Sequence, residues 1–308
     1  LAADRAVLGW TYTSATVKIG DSGTGAFTPP IGGLTCKNLN IASGVFDVTA
    51  GNLAVSISGD WINSATFTPR GGTVTFIGSG DSLVTTGGSS KSFYSFTVDK
   101  ETANATVYVT GDLDADGGIS VIDGTLDLDT YDPVVTAGSV LVGGGDATNE
   151  TMIAGAGTIT ITGAFAIDTF ISASETATFV QGSGTITIKG DMRIQGDGTS
   201  TFTKNSNGLI IFKGGSGQDL TPGGDNLGNI QISQGDAEAT TLTLNGFGGR
   251  YNNITIDLGQ TFVLSNLDIE FTGDLARSGI LTLGTAAVTL SGTGSQTISG
   301  TNTFNTLN

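Results

Sequence analysis

The residues best suited to chemistry in this chain are five oxygen donors in the twelve-residue stretch 112–123. Carboxylates fill its first, third and fifth positions, the carbonyl of Gly118 fills the seventh, and a carboxylate fills the twelfth. This spacing is typical of a calcium loop of the EF-hand type, in which a flexible cage of oxygen ligands suits Ca²⁺. The sequence therefore predicts a structural calcium site made by Asp112, Asp114, Asp116, Gly118 and Asp123.

Two features leave a second interpretation of this stretch open. The twelfth position is Asp123 rather than a bidentate Glu, and residues 124–128 alternate like a strand where a flanking helix is expected. In that interpretation Asp112 belongs to a Gly-Asp turn that recurs along the chain, and Asp116 starts an ordinary Asx turn. A calcium ion bound here is expected to clamp a turn and to take no part in catalysis.

The acidic cluster after this stretch is the candidate for enzymatic chemistry. Alternation places Asp127 and Asp129 on one strand face, and two neighbouring carboxylates are what glycoside hydrolysis requires. A row of solvated carboxylates explains the same pattern. Histidine is absent from the chain, which removes the usual general base, His-dependent triads and histidine-bound zinc. We therefore predict that the protein is not an enzyme.

The composition limits the partners and the compartment. Lys and Arg number 12 against 28 Asp and Glu, for a net charge of −16, and no basic cluster is present to hold a nucleic-acid backbone. No apolar run approaches the ~18 residues that cross a bilayer. Cys36 is the single cysteine, so a buried thiol is expected rather than a disulfide. The first residue is Leu1 rather than Met, which favours a processed, secreted protein.

An internal repeat organises the chain. A strand, a Gly/Ser-rich turn and a second strand follow one another in residues 72–98, 208–232 and 287–307. A second marker is Gly-Asp after a strand, which occurs at Gly59, Gly111, Gly190 and Gly273, with the variant Gly163. Successive glycines of this set are 52, 52, 27 and 83 residues apart. Such periods predict a solenoid with degenerate coils of roughly 20 to 27 residues.

The strands have one apolar side. Residues 158–161 and 185–188 alternate Thr with Ile, which is the two-residue period of a half-buried strand. We predict an all-β protein, a parallel β-solenoid whose outward threonines stack into hydroxyl ladders; tandem antiparallel β-sandwich modules are the alternative. Residues 1–33 depart from the pattern and are expected to form an N-terminal cap or docking segment. Residues 34–308 form the repetitive body.

The body resembles the Gly/Thr-rich repeat regions of large bacterial cell-surface and adhesin-like β-solenoid proteins. The elements that carry the resemblance are 38–41, 44–47, 58–61, 63–67, 72–76 and 294–298. The resemblance covers about residues 34–308, and it implies an exported protein that acts as a stalk, an adhesin or a surface coat.

The leading hypothesis is a non-enzymatic extracellular structural protein, a subunit of a surface filament, stalk or coat that self-associates head to tail into a homopolymer. The hypothesis rests on the end of the chain, where Asn308 directly follows a strand without a polar cap. Residues 1–33 of a neighbouring molecule are expected to cover that end. An adhesin that binds glycans or host surfaces is the alternative. A β-helix enzyme or tailspike-like depolymerase that uses Asp127 or Asp129 is the third.

Overall fold

The computed structural model describes residues 10–20, 26–87, 92–144, 149–169, 175–196, 198–236, 238–301, 304 and 306–308. These residues form 33 β-strands and contain no helix. The strands pair in parallel from one coil to the next, in about 12 coils spaced by about 23 residues. The predicted parallel solenoid is confirmed, and the antiparallel sandwich alternative is wrong.

The strand bounds follow the chain in three groups. The first group is β1 (Trp10–Ile19), β2 (Ala26–Phe27), β3 (Leu34–Ile41), β4 (Val45–Asp47), β5 (Val55–Ile57), β6 (Trp61–Asn63), β7 (Thr66–Thr68), β8 (Thr73–Phe76), β9 (Ser82–Thr85), β10 (Phe93–Asp99), β11 (Thr106–Val109) and β12 (Leu113–Asp127). The second group is β13 (Val135–Ala137), β14 (Val140–Gly143), β15 (Asn149–Ile153), β16 (Ile159–Ile161), β17 (Phe165–Thr169), β18 (Thr176–Val180), β19 (Thr185–Ile188), β20 (Met192–Gly196), β21 (Thr199–Thr203), β22 (Leu209–Phe212), β23 (Gln218–Thr221) and β24 (Asn229–Ile232). The third group is β25 (Thr241–Leu244), β26 (Gly249–Tyr251), β27 (Ile254–Ile256), β28 (Thr261–Val263), β29 (Ile269–Phe271), β30 (Leu275–Arg277), β31 (Ile280–Thr282), β32 (Ala287–Leu290) and β33 (Thr306–Leu307).

Each coil has three faces, because three ladders of parallel strands follow one another around the chain. The first face contains β1, β3, β5, β8, β10, β12, β14, β17, β20, β23, β25, β28 and β31. The second face contains the later parts of β1, β3 and β12 with β6, β9, β11, β15, β18 and β21, and then β26, β29, β32 and β33. The third face contains β2, β4 and β7, the starts of β10 and β12, and then β13, β16, β19, β22, β24, β27 and β30.

Alternation of apolar and polar residues decides which side chains fill the interior. On the third face a buried aliphatic column stacks in register through Ile159, Ile186, Ile210, Ile230, Ile254 and Leu275. The outward residues Thr136, Thr160 and Thr187 align beside this column, so the predicted hydroxyl ladder is present over three coils. Full burial of one such aliphatic side chain contributes ~1.5–3 kcal/mol, and the column repeats this gain in each coil.

The N-terminal coils fill the same interior with aromatic side chains. Trp61 is fully buried, and its ring lies 4.9 Å from that of Phe67 and 5.1 Å from that of Phe93. Trp10 packs against Phe27 at 5.4 Å. The tryptophans therefore serve packing. Cys36 is also buried, as expected, and burial raises the pKa of its thiol to about 12.

The described part of residues 1–33 is continuous with the coils. Strand β1 pairs with β3 from Trp10 opposite Leu34 to Ile19 opposite Ile41, and β2 pairs with β4. This segment therefore forms the first coil of the ladder. A role for it in docking stays a prediction.

The four Gly-Asp markers join consecutive coils. In each, a carboxylate oxygen of the Asp accepts a hydrogen bond from a backbone N–H one coil later. The pairs are Leu83 to Asp60 at 2.9 Å, Val134 to Asp112 at 3.2 Å, Asp219 to Asp191 at 2.9 Å and Thr297 to Asp274 at 2.7 Å. Asn38 and Asn253 accept backbone hydrogen bonds from the next coil in the same way. The marker therefore encodes a bond between coils.

The three copies of the repeat occupy three different corners of the coil. The copy at 72–98 starts with β8 on the first face and turns into β9 on the second. The copy at 208–232 runs from β22 on the third face to β23 on the first. The copy at 287–307 runs from β32 on the second face to Ile298, which pairs with Leu275 on the third. The repeat therefore encodes a turn between two neighbouring faces, and this turn occurs at all three corners of the coil.

A glutamine fills the corner in the second and third copies. Gln218 Oε1 accepts a hydrogen bond from Gly214 N at 3.0 Å, while its amide nitrogen donates to the carbonyls of Ile188 and Gly190. Gln296 makes the equivalent three bonds to Gly292, Phe271 and Gly273 at 2.9 to 3.0 Å. The side chain therefore ties its own turn to the previous coil.

A lysine from the following coil fills the corner in the first copy. The position of the glutamine is taken by Ser82, whose side chain is too short to reach the previous coil. Lys100 Nζ donates to the carbonyls of Ile77 and Gly80 at 3.0 Å and to Ser82 Oγ at 2.7 Å. Lys100 is consequently buried, with 1% of its surface exposed.

Candidate functional site

The stretch predicted to bind calcium is a continuous strand, β12, that runs along all three faces of one coil. Residues 113–115 pair with β13 on the third face, 119–121 with β14 on the first and 124–127 with β15 on the second. Gly118 lies at the bend between the third and first faces with a φ of +141°, and a Cβ there would meet the carbonyl oxygen of Ser139 at 2.9 Å. The stretch is therefore extended rather than closed into a loop.

The five predicted ligands are consequently spread along the coil. Asp112 is exposed and accepts the hydrogen bond from Val134 N. Burial and then the neighbouring Asp116 carboxylate raise the pKa of Asp114, whereas Asp123 is buried at the next corner, between the first and second faces. No group of three or more His, Cys, Asp or Glu side chains in the described residues is arranged to hold a metal ion. The calcium site stays a prediction.

The carboxylates considered for glycoside hydrolysis belong to a turn. Asp127 Oδ1 accepts hydrogen bonds from the backbone N–H groups of Asp129 at 2.8 Å and Thr130 at 3.0 Å, and Oδ2 accepts the Thr130 hydroxyl at 2.9 Å. Strand β12 ends at Asp127, so this carboxylate caps the turn in which Asp129 lies. The expectation that both project from one strand face is wrong.

A groove that the sequence analysis missed lies at the corner between the first and second faces, where β20, β23 and β25 end. It is open to solvent and has a volume of about 350 Å³. Its lining combines backbone, polar side chains and one aromatic ring. The residues that form most of it are Gln195, Gly196, Gly198, Ser200, Thr221, Gly223, Gly246 and Phe247.

The floor of the groove depends on close backbone packing. Gly223 has a φ of +63°, a conformation that favours glycine. A Cβ at this position would meet the carbonyl oxygen of Ile194 at 2.6 Å. Because Gly223 has no side chain, its backbone packs directly on the backbone of the previous coil at Ile194. The space on the solvent side of Gly223 is left open and forms the groove.

Phe247 is the most exposed aromatic side chain in the described part of the chain. It is 69% exposed, whereas every other phenylalanine in the described part of the chain is buried or packs against the core. Gly246 and Gly248 flank it, and the alternation of β25 has already ended at Leu244. An aromatic residue between two glycines and outside a strand pattern is the signal in the sequence that could have located this groove.

An ion pair between an exposed arginine and a buried carboxylate lies beside the groove. Arg193 Nη2 lies 3.0 Å from Oδ2 of Asp168, whose side chain is fully buried. Burial raises the pKa of Asp168, while Arg193 and the Gln195 amide act against this rise. Asp168 aligns with Gln195 and Arg193 aligns with Thr221. The ladder of the first face therefore places Gln195 and Thr221, two of the lining residues, next to the two members of this pair.

The charge and the secondary structure of the chain bear on two other partners considered from the sequence, nucleic acid and the membrane. The chain carries a net charge of −16, which disfavours contact with a nucleic-acid backbone. Among the described residues there is no helix of the length and hydropathy needed to cross a membrane. Comparison of the chain with protein-family models, with curated proteins and with solved structures gives no significant match.

Proposed function

We propose that this chain is a non-enzymatic structural protein, secreted to the cell surface, where it is a subunit of a filament, stalk or coat that assembles head to tail. The observation that carries the proposal is the ladder of parallel strands that continues through about 12 coils. Strands of adjacent coils lie about 4.8 Å apart, so the coils form a rod on the order of 60 Å long.

The rod is braced on each of its faces. Parallel backbone ladders follow all three faces, an apolar column fills the interior, and the side chains of the Gly-Asp markers and of Gln218 and Gln296 bond one coil to the next. The strands of each coil pair with those of its neighbours, which makes the molecule a quasi-one-dimensional element. A stiff element of this shape suits a spacer or a coat.

The backbone hydrogen bonds that join one coil to the next can also join one molecule to another. In a parallel ladder, alternate residues direct their N–H and C=O groups to opposite edges. Trp10 N donates to Gly33 O of the second coil, so the amide of Thr11 points to the opposite edge of β1. A strand of a second molecule in the same orientation matches this edge, and such a contact is heterologous and propagates.

Electron microscopy and analytical ultracentrifugation of the purified chain test the proposal. The expected result is rods about 60 Å long that join end to end as the protein concentration rises. Thr11→Pro removes the edge amide and is expected to shorten these assemblies, while Thr11→Val keeps the amide and is the matched control. Rods that stay separate at every concentration, or a Thr11→Pro variant that polymerises like the wild type, would contradict the proposal.

A further inference from the structure

We propose that the groove beside Phe247 binds a neutral oligosaccharide through one or two of its sugar rings. The exposed position of the Phe247 ring carries a cost in stability. Phe247 is 69% exposed, so it gives up the hydrophobic stabilisation that the other phenylalanines gain by burial. The exposed ring also lies against a groove instead of standing alone on the surface.

The chemistry of the lining matches a sugar ring. A pyranose has an apolar face of C–H groups and an edge of hydroxyl groups, so it needs an aromatic surface together with short polar side chains. Phe247 provides the aromatic surface, and Gln195, Ser200 and Thr221 provide the polar groups. Exposed backbone at the lining glycines lets a ligand approach the main chain closely.

The polar groups are held in position before a ligand arrives. The Ser200 hydroxyl donates to the carbonyl of Gln195 at 2.6 Å, which leaves its oxygen able to accept a hydrogen bond from a sugar hydroxyl. Gln195 aligns with Asp168 in the ladder of the first face, and Asp168 pairs with Arg193. Pre-positioned groups of this kind lose little freedom on binding.

The size and charge of the groove limit the ligand. Its lining comes from three successive coils, which span about 10 Å along the rod, and a volume of about 350 Å³ lies at the small end of ligand sites. This space fits one or two rings. Arg193 is committed to Asp168 and the whole chain is acidic, so a neutral sugar fits better than an acidic one.

Saturation-transfer NMR on the full chain tests the proposal, with maltotetraose, cellotetraose and tetra-N-acetylchitotetraose as probes. The wild type is expected to transfer signal to at least one of them, and Phe247→Ala to weaken that binding at least about tenfold. Leu258→Ala is the matched control, because Leu258 is an exposed apolar residue, 79% accessible, at a different corner. This control is expected to bind like the wild type.

A second variant separates the groove from a general effect on the fold. Thr221→Val removes a lining hydroxyl but keeps the size and branching of the side chain, so it is expected to weaken binding while the unfolding temperature stays unchanged. No transfer to any of the three sugars by the wild type, or equal transfer by wild type and Phe247→Ala, would overturn the proposal. Phe247 lies at a corner and not on a ladder edge, so filament assembly by Phe247→Ala is expected to be normal, and the two proposals fail independently.

Discussion

The corners that follow β8 and β22 have the same sequence pattern but are filled by different side chains. In both corners a glycine lies two residues after the end of the strand, and the next strand begins four residues after that glycine. The next strand begins at Ser82 in the first corner and at Gln218 in the second. Gln218 fills its own corner, whereas the corner at Ser82 is filled by Lys100 from the following coil. The repeat therefore determines the path of the backbone, while the buried donor can come from a different coil.

The two fillers differ in charge. Burial lowers the pKa of Lys100 to about 8, although nearby carboxylates, Asp81 first among them, act against this. At neutral pH the ammonium group is protonated and has three N–H donors for three acceptors. Gln218 and Gln296 are neutral at every pH. The corner at Ser82 is thus charged and depends on two coils, whereas the corners at Gln218 and Gln296 are neutral and are filled by their own side chains.

The largest expected effect is the loss of the charged filler. Lys100→Met keeps the length of the side chain but leaves three buried acceptors without their donor, and each buried unsatisfied group costs ~1–3 kcal/mol. We expect the free energy of unfolding to fall by about 3 kcal/mol, measured by urea denaturation. Lys37→Met, at an exposed lysine, is the control. Equal unfolding midpoints for the two variants would show that Lys100 does not stabilise its corner.

The neutral corners are expected to be less sensitive. Gln218→Met and Gln296→Met each remove one acceptor and two amide N–H donors from a corner. We expect each to lower the free energy of unfolding by about 2 kcal/mol, and by equal amounts, because their bonds are the same. Gln234→Met is the exposed control. A clear inequality between the two variants would break the equivalence of these corners.

The pH dependence of stability separates the two kinds of corner. The pKa of Lys100 is lowered in the folded state to about 8 from the usual 10.5, so between these values the unfolded chain holds the proton more tightly. Stability linked to this residue therefore rises as pH increases from about 8 to 10.5, and is flat below that window. The difference in unfolding free energy between wild type and Lys100→Met should follow this curve. The difference between wild type and Gln218→Met should stay constant.

The regular strands were predictable because local pattern and tertiary burial agree in them. The Thr/Ile alternation predicted at 158–161 and 185–188 is confirmed as β16 and β19. Strands β18, β20 and β21 carry a weaker pattern, since each buries only one or two large side chains among small or charged ones. In β12 the turn chemistry of Asp116 and its glycines was overridden by pairing with β13, β14 and β15.

The groove was out of reach of the sequence for a different reason. Its side chains Gln195, Thr221 and Phe247 come from three coils and are 26 residues apart. They meet because the ladders of the first face align those coils. Successive coils differ in length from 19 to 28 residues. The sequence alone therefore does not show which residues of neighbouring coils lie side by side. Phe247 carried the one local signal.

The smallest expected effect concerns the Gly-Asp bonds, which join one coil to the next in the same way at all four markers. Asp112→Ala and Asp274→Ala each remove one acceptor of a backbone N–H in the next coil, and each is expected to lower the free energy of unfolding by about 1 kcal/mol. Asp112→Asn is expected to match the wild type, because Asn38 and Asn253 already accept such bonds with their amide oxygens. Chemical denaturation without calcium measures all three.

Added calcium extends this experiment to the site predicted from the sequence. An ion held by Asp112, Asp114, Asp116, Gly118 and Asp123 stabilises the folded state by mass action, so calcium should raise the unfolding temperature of the wild type and of Asp274→Ala but not of Asp112→Asn. An unchanged unfolding temperature in all three proteins would end the calcium prediction and leave Asp112 with the bond to Val134 alone. Because Asp112→Asn keeps that bond and loses a charge, it separates the two roles of a single carboxylate.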